Sequence, residues 1–207
     1  MKDAFSVIFQ EIQTNRKEPL RIAIDGRCAS GKTTLASRLK KEINCNVIHM
    51  DHFFLRSEQR TESRLSQPGG NVDYERFLEE VVDSMKKGSL FSYRVFDCKT
   101  MVFTDNVQVE PNKVTIVEGA YCCHPSLWDF YDVRIFLSID SEEQLRRIKC
   151  RNGEKALKEF RERWIPLEEN YFSTYQIMER CDYRFTQNEA ATALGYGTRE
   201  YELIKES

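Results

Sequence analysis

The 207-residue chain lacks any apolar run long enough to span a bilayer, so a membrane-crossing helix is not expected. Its first residues, MKDAFSVIFQEIQTNRKE, lack the pattern of a secretory signal. Five prolines and nine glycines leave little room for long disordered linkers. A net charge of −2 provides no basic footprint for DNA or RNA, so neither a nucleic acid nor a membrane is the expected partner. Internal repeats and low-complexity tracts are absent as well. The seven cysteines are odd in number and scattered, which fits reduced thiols in a cytoplasm better than a disulfide framework. Cys122-Cys123-His124 has no second CxxC or HxxxH pair to complete a zinc site, and two adjacent thiolates fit one tetrahedral ion poorly. Packing is the expected role of that cluster.

What the sequence does have is an alternation of strand and helix signals. Phe5, Ile8, Phe9 and Ile12 recur at helical spacing and predict an amphipathic helix within residues 1–19. An apolar strand over 21–25 is followed by a helix over 32–44, striped by Leu35, Leu39 and Ile43. A short β-prone run covers 45–50, and a polar loop ends in Pro68-Gly69-Gly70-Asn71. The helix from Asp73 to Lys87 stops at Gly88. Residues 91–97 and 101–110 read as a hairpin. Strands at 113–120 and 132–140, a charged helical region over 141–178 and a last strand at 181–187 complete the pattern. Several of these strands are apolar throughout, which predicts an α/β protein with a parallel sheet covered on both faces and the hairpin as an appendage. Residues 1–207 are expected to form one domain, with 188–207 as a C-terminal tail.

The stretch IAIDGRCASGKTT carries the first chemistry. Gly26 to Thr33 matches G-x-x-x-x-G-K-[ST] between a strand and a helix, the context a phosphate-binding loop requires. Backbone N–H groups over Gly26, Ala29, Ser30, Gly31, Lys32, Thr33 and Thr34 would cradle phosphates, helped by the helix N-terminus. Lys32 would bridge the β- and γ-phosphates of ATP or GTP, and the Thr33 hydroxyl would meet Mg²⁺. Glu118, after VTIV, is the candidate second metal-side acid. Asp51, in HMDHFFLR, ends the second strand on the edge where ligands collect; a carboxylate there suits a general base taking a proton from an attacking hydroxyl. No Asn-Lys-x-Asp string is present to read guanine. Asp73 suits two vicinal hydroxyls of a sugar, and it equally suits a helix N-cap. Phe53, Phe54, Tyr93 and Phe96 would stack on a flat ring or fill the core. Arg147 and Arg151 lie one turn apart on a helix face, placed either to clamp phosphates or to face solvent.

In order, GRCASGKTT, MDHFF, PGGNVDYERF, a tyrosine-bearing hairpin, TIVEG and DSEEQLRRIKCR resemble the uridine kinase and phosphoribulokinase family over roughly residues 20–187. The resemblance implies a P-loop nucleoside-triphosphate hydrolase fold with a helical lid over 141–178. It implies transfer of a γ-phosphoryl group to a small hydroxylated acceptor, with uridine or cytidine leading. Other ribosides such as nicotinamide riboside, sugar alcohols, and a nucleotide-binding regulator are the alternatives. It places Asp51 at the catalytic base, also near the metal, and Thr33 and Glu118 at the Mg²⁺ positions. It further places Asp73 at the ribose, Tyr93 and Phe54 in the acceptor pocket, and Arg147 and Arg151 in the lid. An assembly of identical chains stays open. Departures cluster on the acceptor side, where Cys98 replaces a histidine, Val95 a phenylalanine and Phe54 a tyrosine. Arg27 and Cys28 depart from the usual loop residues as well.

Overall fold

The computed structural model describes residues 3–187 and 201–203. Five strands form a parallel sheet: β1 (Leu20–Gly26), β2 (Asn46–His49), β5 (Val114–Glu118), β6 (Val133–Ile139) and β7 (Tyr183–Gln187). The order is β2-β5-β1-β6-β7, and β8 (Tyr201–Leu203) joins the β7 edge antiparallel. The hairpin of β3 (Phe91–Asp97) and β4 (Val102–Val109) forms a separate two-stranded sheet. This is the parallel α/β sheet expected from the alternating pattern, with the P-loop fold that the resemblance implies. The short strand β8 falls within the expected tail, and residues 188–200 and 204–207 of that tail lie outside the described residues.

Alternation along β1 sorts the core into two faces. Ile22 and Ile24 point one way, into a cluster with Ala4 and Ile8 of α1 (Ala4–Thr14) and with Leu35, Ala36 and Leu39 of α2 (Lys32–Glu42). Ala23 points the other way, toward Val117, Phe136 and the remaining helices. Those helices begin with α3 (Glu62–Leu65). The next is a run of α4 (Tyr74–Phe77), a π turn (Leu78–Val82) and α5 (Asp83–Lys86). After β6 come α6 (Ser141–Glu159), a second π turn (Phe160–Trp164), α7 (Ile165–Tyr175) and α8 (Ile177–Arg180). Gly153, at φ +82°, breaks α6. Parallel alignment brings the C-terminal ends of β1, β2 and β5 to one edge, where His49 pairs in register with Glu118, and Ile24 with Glu118 from the other side.

Candidate active site

The loop after β1 wraps the N-terminus of α2. Ala29 (φ +62°) and Gly31 (φ +98°) take the left-handed conformation, which turns successive N–H groups inward. Lys32 is buried and donates from Nζ to the carbonyls of Gly26 (2.7 Å) and Arg27 (2.9 Å). Its ammonium therefore lies on the loop's inner side.

Thr33 and Glu118, 85 residues apart, meet: the Thr33 hydroxyl lies 3.1 Å from both carboxylate oxygens of the buried Glu118. His49 Nδ1 lies 2.5 Å from Glu118 Oε1, and that hydrogen bond raises the His49 pKa above its ordinary value. Sequence reasoning missed His49; its signal was its register opposite Glu118, visible only once the strands are paired. Asp51 sits just past β2, in a 3₁₀ turn (Met50–Phe53) rather than on the strand itself. The residue is exposed to solvent at this edge, with Glu118, Lys32, His49 and Arg151 within electrostatic reach. Desolvation first, and the Glu118 charge second, hold its pKa above the usual carboxylate range, while Lys32, His49 and Arg151 pull it back. Gly119 (φ +138°) allows this closeness, because a Cβ there would stand 2.8 Å from Met50 Cβ and 3.4 Å from Asp51 Oδ1. Lys32, Thr33, Glu118, Asp51 and Arg151 thus share one edge of the sheet.

Asp73 caps α4, accepting from Arg76 N at 3.1 Å, and its second oxygen accepts from Gln59 Nε2 at 2.9 Å. The cap is therefore formed, and Asp73 is buried under Gln59. Arg76, which the sequence reading passed over, ties the two halves of the site. From its buried position it donates to the carbonyls of His52 and Arg94 and to Glu80, and its guanidinium lies 4.2 Å above the Phe53 ring. Tyr93 is buried beneath Phe53, with its hydroxyl 3.3 Å from His52 Nδ1. Burial and the His49 charge push His52 down to about 4, so its ring is neutral at pH 7. Phe54 is half-buried and its backbone bridges to Val72. Cys98 lies exposed past the end of β3, within electrostatic reach of Asp51 and Arg60.

The lid region reaches the loop from the far side. Arg147 is held by Glu143 and donates to Ala29 O at 3.3 Å; Arg151 lies farther along the same helix. From α7, Glu168 accepts from Cys28 N (2.9 Å), Glu169 pairs with Arg27, and Tyr171 donates to Asp25 (2.9 Å). Asp25 is fully buried and also accepts from the amides of Gly26 and Cys123. An acid inside the apolar run IAIDG was the one sequence signal for this hub. Cys122 and Cys123 gather beside Asp25, their donor atoms and its carboxylate within 4.8 Å of one another. The Asp25 oxygens already hold N–H and O–H donors, as a buried carboxylate needs. His124 turns away to stack on Tyr74 at 4.2 Å, and packing is the role of this cluster.

Glu168 provides a pH test. Burial lifts its carboxyl from 4.5 to about 7, only partly offset by the Lys32 charge and the Cys28 amide. The folded chain keeps the proton between those values while the unfolded chain releases it. Stability from this group is therefore complete below about 4.5 and is lost as pH rises through about 7, a change on the order of 3 kcal/mol. Denaturant titrations of the wild type and Glu168→Gln across pH 4.5–7.5 should diverge, the glutamine variant gaining relative stability as pH rises.

A strand, a glycine-flanked loop, a helix N-terminus and an opposed acid on a parallel sheet define a P-loop nucleotide-binding protein. The profile of the AAA domain family matches residues 22–170, and the chain belongs to that family. The chain's curated relatives include proteins named as uridine kinases. The chain is 26% identical over 173 residues to the uridine kinase of Ureaplasma parvum serovar 3, covering 76% of this chain and 84% of that one. A possible uridine kinase from Bacillus stearothermophilus shares the fold with a TM-score of 0.68 at 19% identity, over 87% of this chain and 96% of that one. A putative fructose transport system kinase from Silicibacter sp. TM1040 does so with a TM-score of 0.65 at 20% identity, over 90% and 100%. Among the described residues no helix is long and apolar enough to cross a membrane.

Proposed function

We propose that residues 1–207 act as one P-loop kinase domain that moves the γ-phosphoryl group of ATP or GTP to a hydroxyl of a small acceptor. The leading acceptor is the 5′-hydroxyl of a uridine- or cytidine-like nucleoside. The observation that carries this reading is Asp51, exposed beside the Thr33–Glu118 pair and within electrostatic reach of Lys32 and Arg151. A carboxylate whose pKa is raised is a better proton acceptor than an ordinary one, and cationic neighbours favour its ionised form. Lys32, His49 and Arg151 are those neighbours.

Asp51 takes the proton of the acceptor hydroxyl as its oxygen bonds to the γ-phosphorus, and the bond to the β-bridging oxygen breaks. Lys32 leaves the Gly26 and Arg27 carbonyls for the phosphates, and Arg147 and Arg151 close over them from α6. The hydroxyl of Thr33 and the carboxylates of Glu118 and Asp51 form an all-oxygen donor set, which suits a hard divalent ion. Mg²⁺ held there would neutralise phosphate oxygens. Asp73 holds the acceptor's vicinal hydroxyls once Gln59 leaves its second oxygen, with half-buried Phe54 as the wall of that pocket and buried Tyr93 packed behind it. Relatives named as uridine kinases support the nucleoside reading. Cys98, a weaker hydrogen-bond donor than histidine, favours a second reading in which the base differs and another riboside or a sugar alcohol is taken.

Asp73→Ala should raise KM for the acceptor at least tenfold and leave nucleotide affinity within about twofold, since it removes a charge-assisted contact. It should also lower stability by about 1 kcal/mol through the lost cap. Acceptor KM equal to the wild type would remove Asp73 from the pocket. Nucleotide turnover that needs no acceptor and rises with a protein partner would favour a regulator.

A further inference from the structure

The side chain of Arg27 and the whole of Cys28 are held largely from α6 and α7. Every polar atom of Cys28 is engaged. Its N–H donates to Glu168 Oε2 at 2.9 Å, and its carbonyl and sulfur accept from Gln144 Nε2 at 3.1 and 3.2 Å. The Arg27 guanidinium makes a two-point contact with Glu169 (2.6 and 3.0 Å) and donates to Ser138. Glu168 and Glu169 are neighbours on α7, and Gln144 lies on α6. Glu168 and Gln144 are both buried, so water does not replace them.

Cys28 immediately precedes Ala29, a non-glycine residue at φ +62°. A side chain in that region persists only where the surroundings over-determine the backbone. Gly31, two residues on, is also left-handed. Fixing the two peptide units that flank the Cys28 Cα, one through its N–H and one through its carbonyl, is what over-determines Ala29.

We propose that Glu168 is a positioning residue for the phosphate cradle, acting through its hydrogen bond to the Cys28 amide rather than by contact with the nucleotide. Its role follows from where it points. The Cys28 N–H donates into α7 and the Ser30 N–H to the Arg27 carbonyl, while the amides of Gly31, Lys32 and Thr33 at the N-terminus of α2 serve the phosphates. A carboxylate turned toward the phosphates would repel them; this one is spent on an amide behind the loop. Loss of the acceptor would leave a buried N–H unpaired and the strained Ala29 turn unsupported.

The test is equilibrium binding of Mg²⁺-ATP to the full chain by calorimetry, alongside a thermal melt. Glu168→Ala should weaken binding about tenfold or more. Glu168→Gln should stay within about twofold, because its carboxamide oxygen accepts the same N–H. Glu168→Asp keeps the charge but is one methylene short, and it should bind as weakly as the alanine variant; it carries the test if the alanine variant does not fold. Wild-type affinity in Glu168→Asp or Glu168→Ala, with only the melting temperature lowered, would overturn the proposal. So would a Glu168→Gln variant as weak as Glu168→Ala, since charge rather than the hydrogen bond would then be acting.

Discussion

Asp51→Asn should bind nucleotide within about twofold of the wild type and lose phosphoryl transfer roughly 100- to 10,000-fold in kcat. Asparagine has nearly the same shape, so the 3₁₀ turn and the close approach of Gly119 are preserved. It cannot take a proton from the acceptor hydroxyl. It also removes one of two neighbouring carboxylates, since the Glu118 charge is one of the influences raising the Asp51 pKa. The variant should therefore melt no lower than the wild type, which separates a chemical defect from a folding one. Stopped-time assays of phosphorylated acceptor, with nucleotide titrations on the same samples, read both quantities. Undiminished transfer would remove Asp51 from the base position and leave Glu118 or water to explain the proton.

Gly26→Ala should destabilise the chain by about 3 kcal/mol or more and lower its melting temperature by about 10 °C. Gly26 closes β1 at φ +132°, and a Cβ there would lie 2.0 Å from the Leu137 carbonyl oxygen and 2.7 Å from the Leu137 nitrogen. Those atoms belong to β6, which pairs with β1 in register at this point, so the contact cannot be relieved by a side-chain rotation. Any shift of Gly26 also moves the carbonyl that holds Lys32 and the amide that caps Asp25. Nucleotide affinity should fall together with stability. An alanine variant that melts and binds like the wild type would contradict this account of why the first loop glycine is required.

Much of this was legible before the strands were paired. The strand-loop-helix around Gly26–Thr33 carries its own signature, and two β-prone runs, one ending in Glu118 and one just before Asp51, put two acids on the ligand edge. What brought Thr33 onto Glu118 was parallel pairing of β1 with β5, and the alternating strand-helix pattern predicts parallel strands without giving their order. The residues missed share a different property. Glu168 meets Cys28 across 140 positions, Tyr171 meets Asp25 across 146, and Arg76 reaches the Asp51 turn through a backbone carbonyl. Each is a single polar residue in an ordinary charged or amphipathic helix, and nothing in its neighbourhood marks it as buried. Asp73 shows the converse: the N-cap was legible from its place just ahead of a helix, and the cap is formed. The two π turns and the break at Gly153 also lie inside segments whose composition reads as continuous helix.

The central claim is transfer to a hydroxylated acceptor, and one measurement addresses it directly. Wild-type chain with Mg²⁺ and either ATP or GTP is incubated with a panel of nucleosides, other ribosides and sugar alcohols, alongside a control without acceptor. Products are read by mass. The account predicts that a ribosyl acceptor gains one phosphoryl group, with an equal amount of nucleoside diphosphate formed and little formed in the control. Diphosphate released at the same rate with and without every acceptor, and no phosphorylated product, would contradict it.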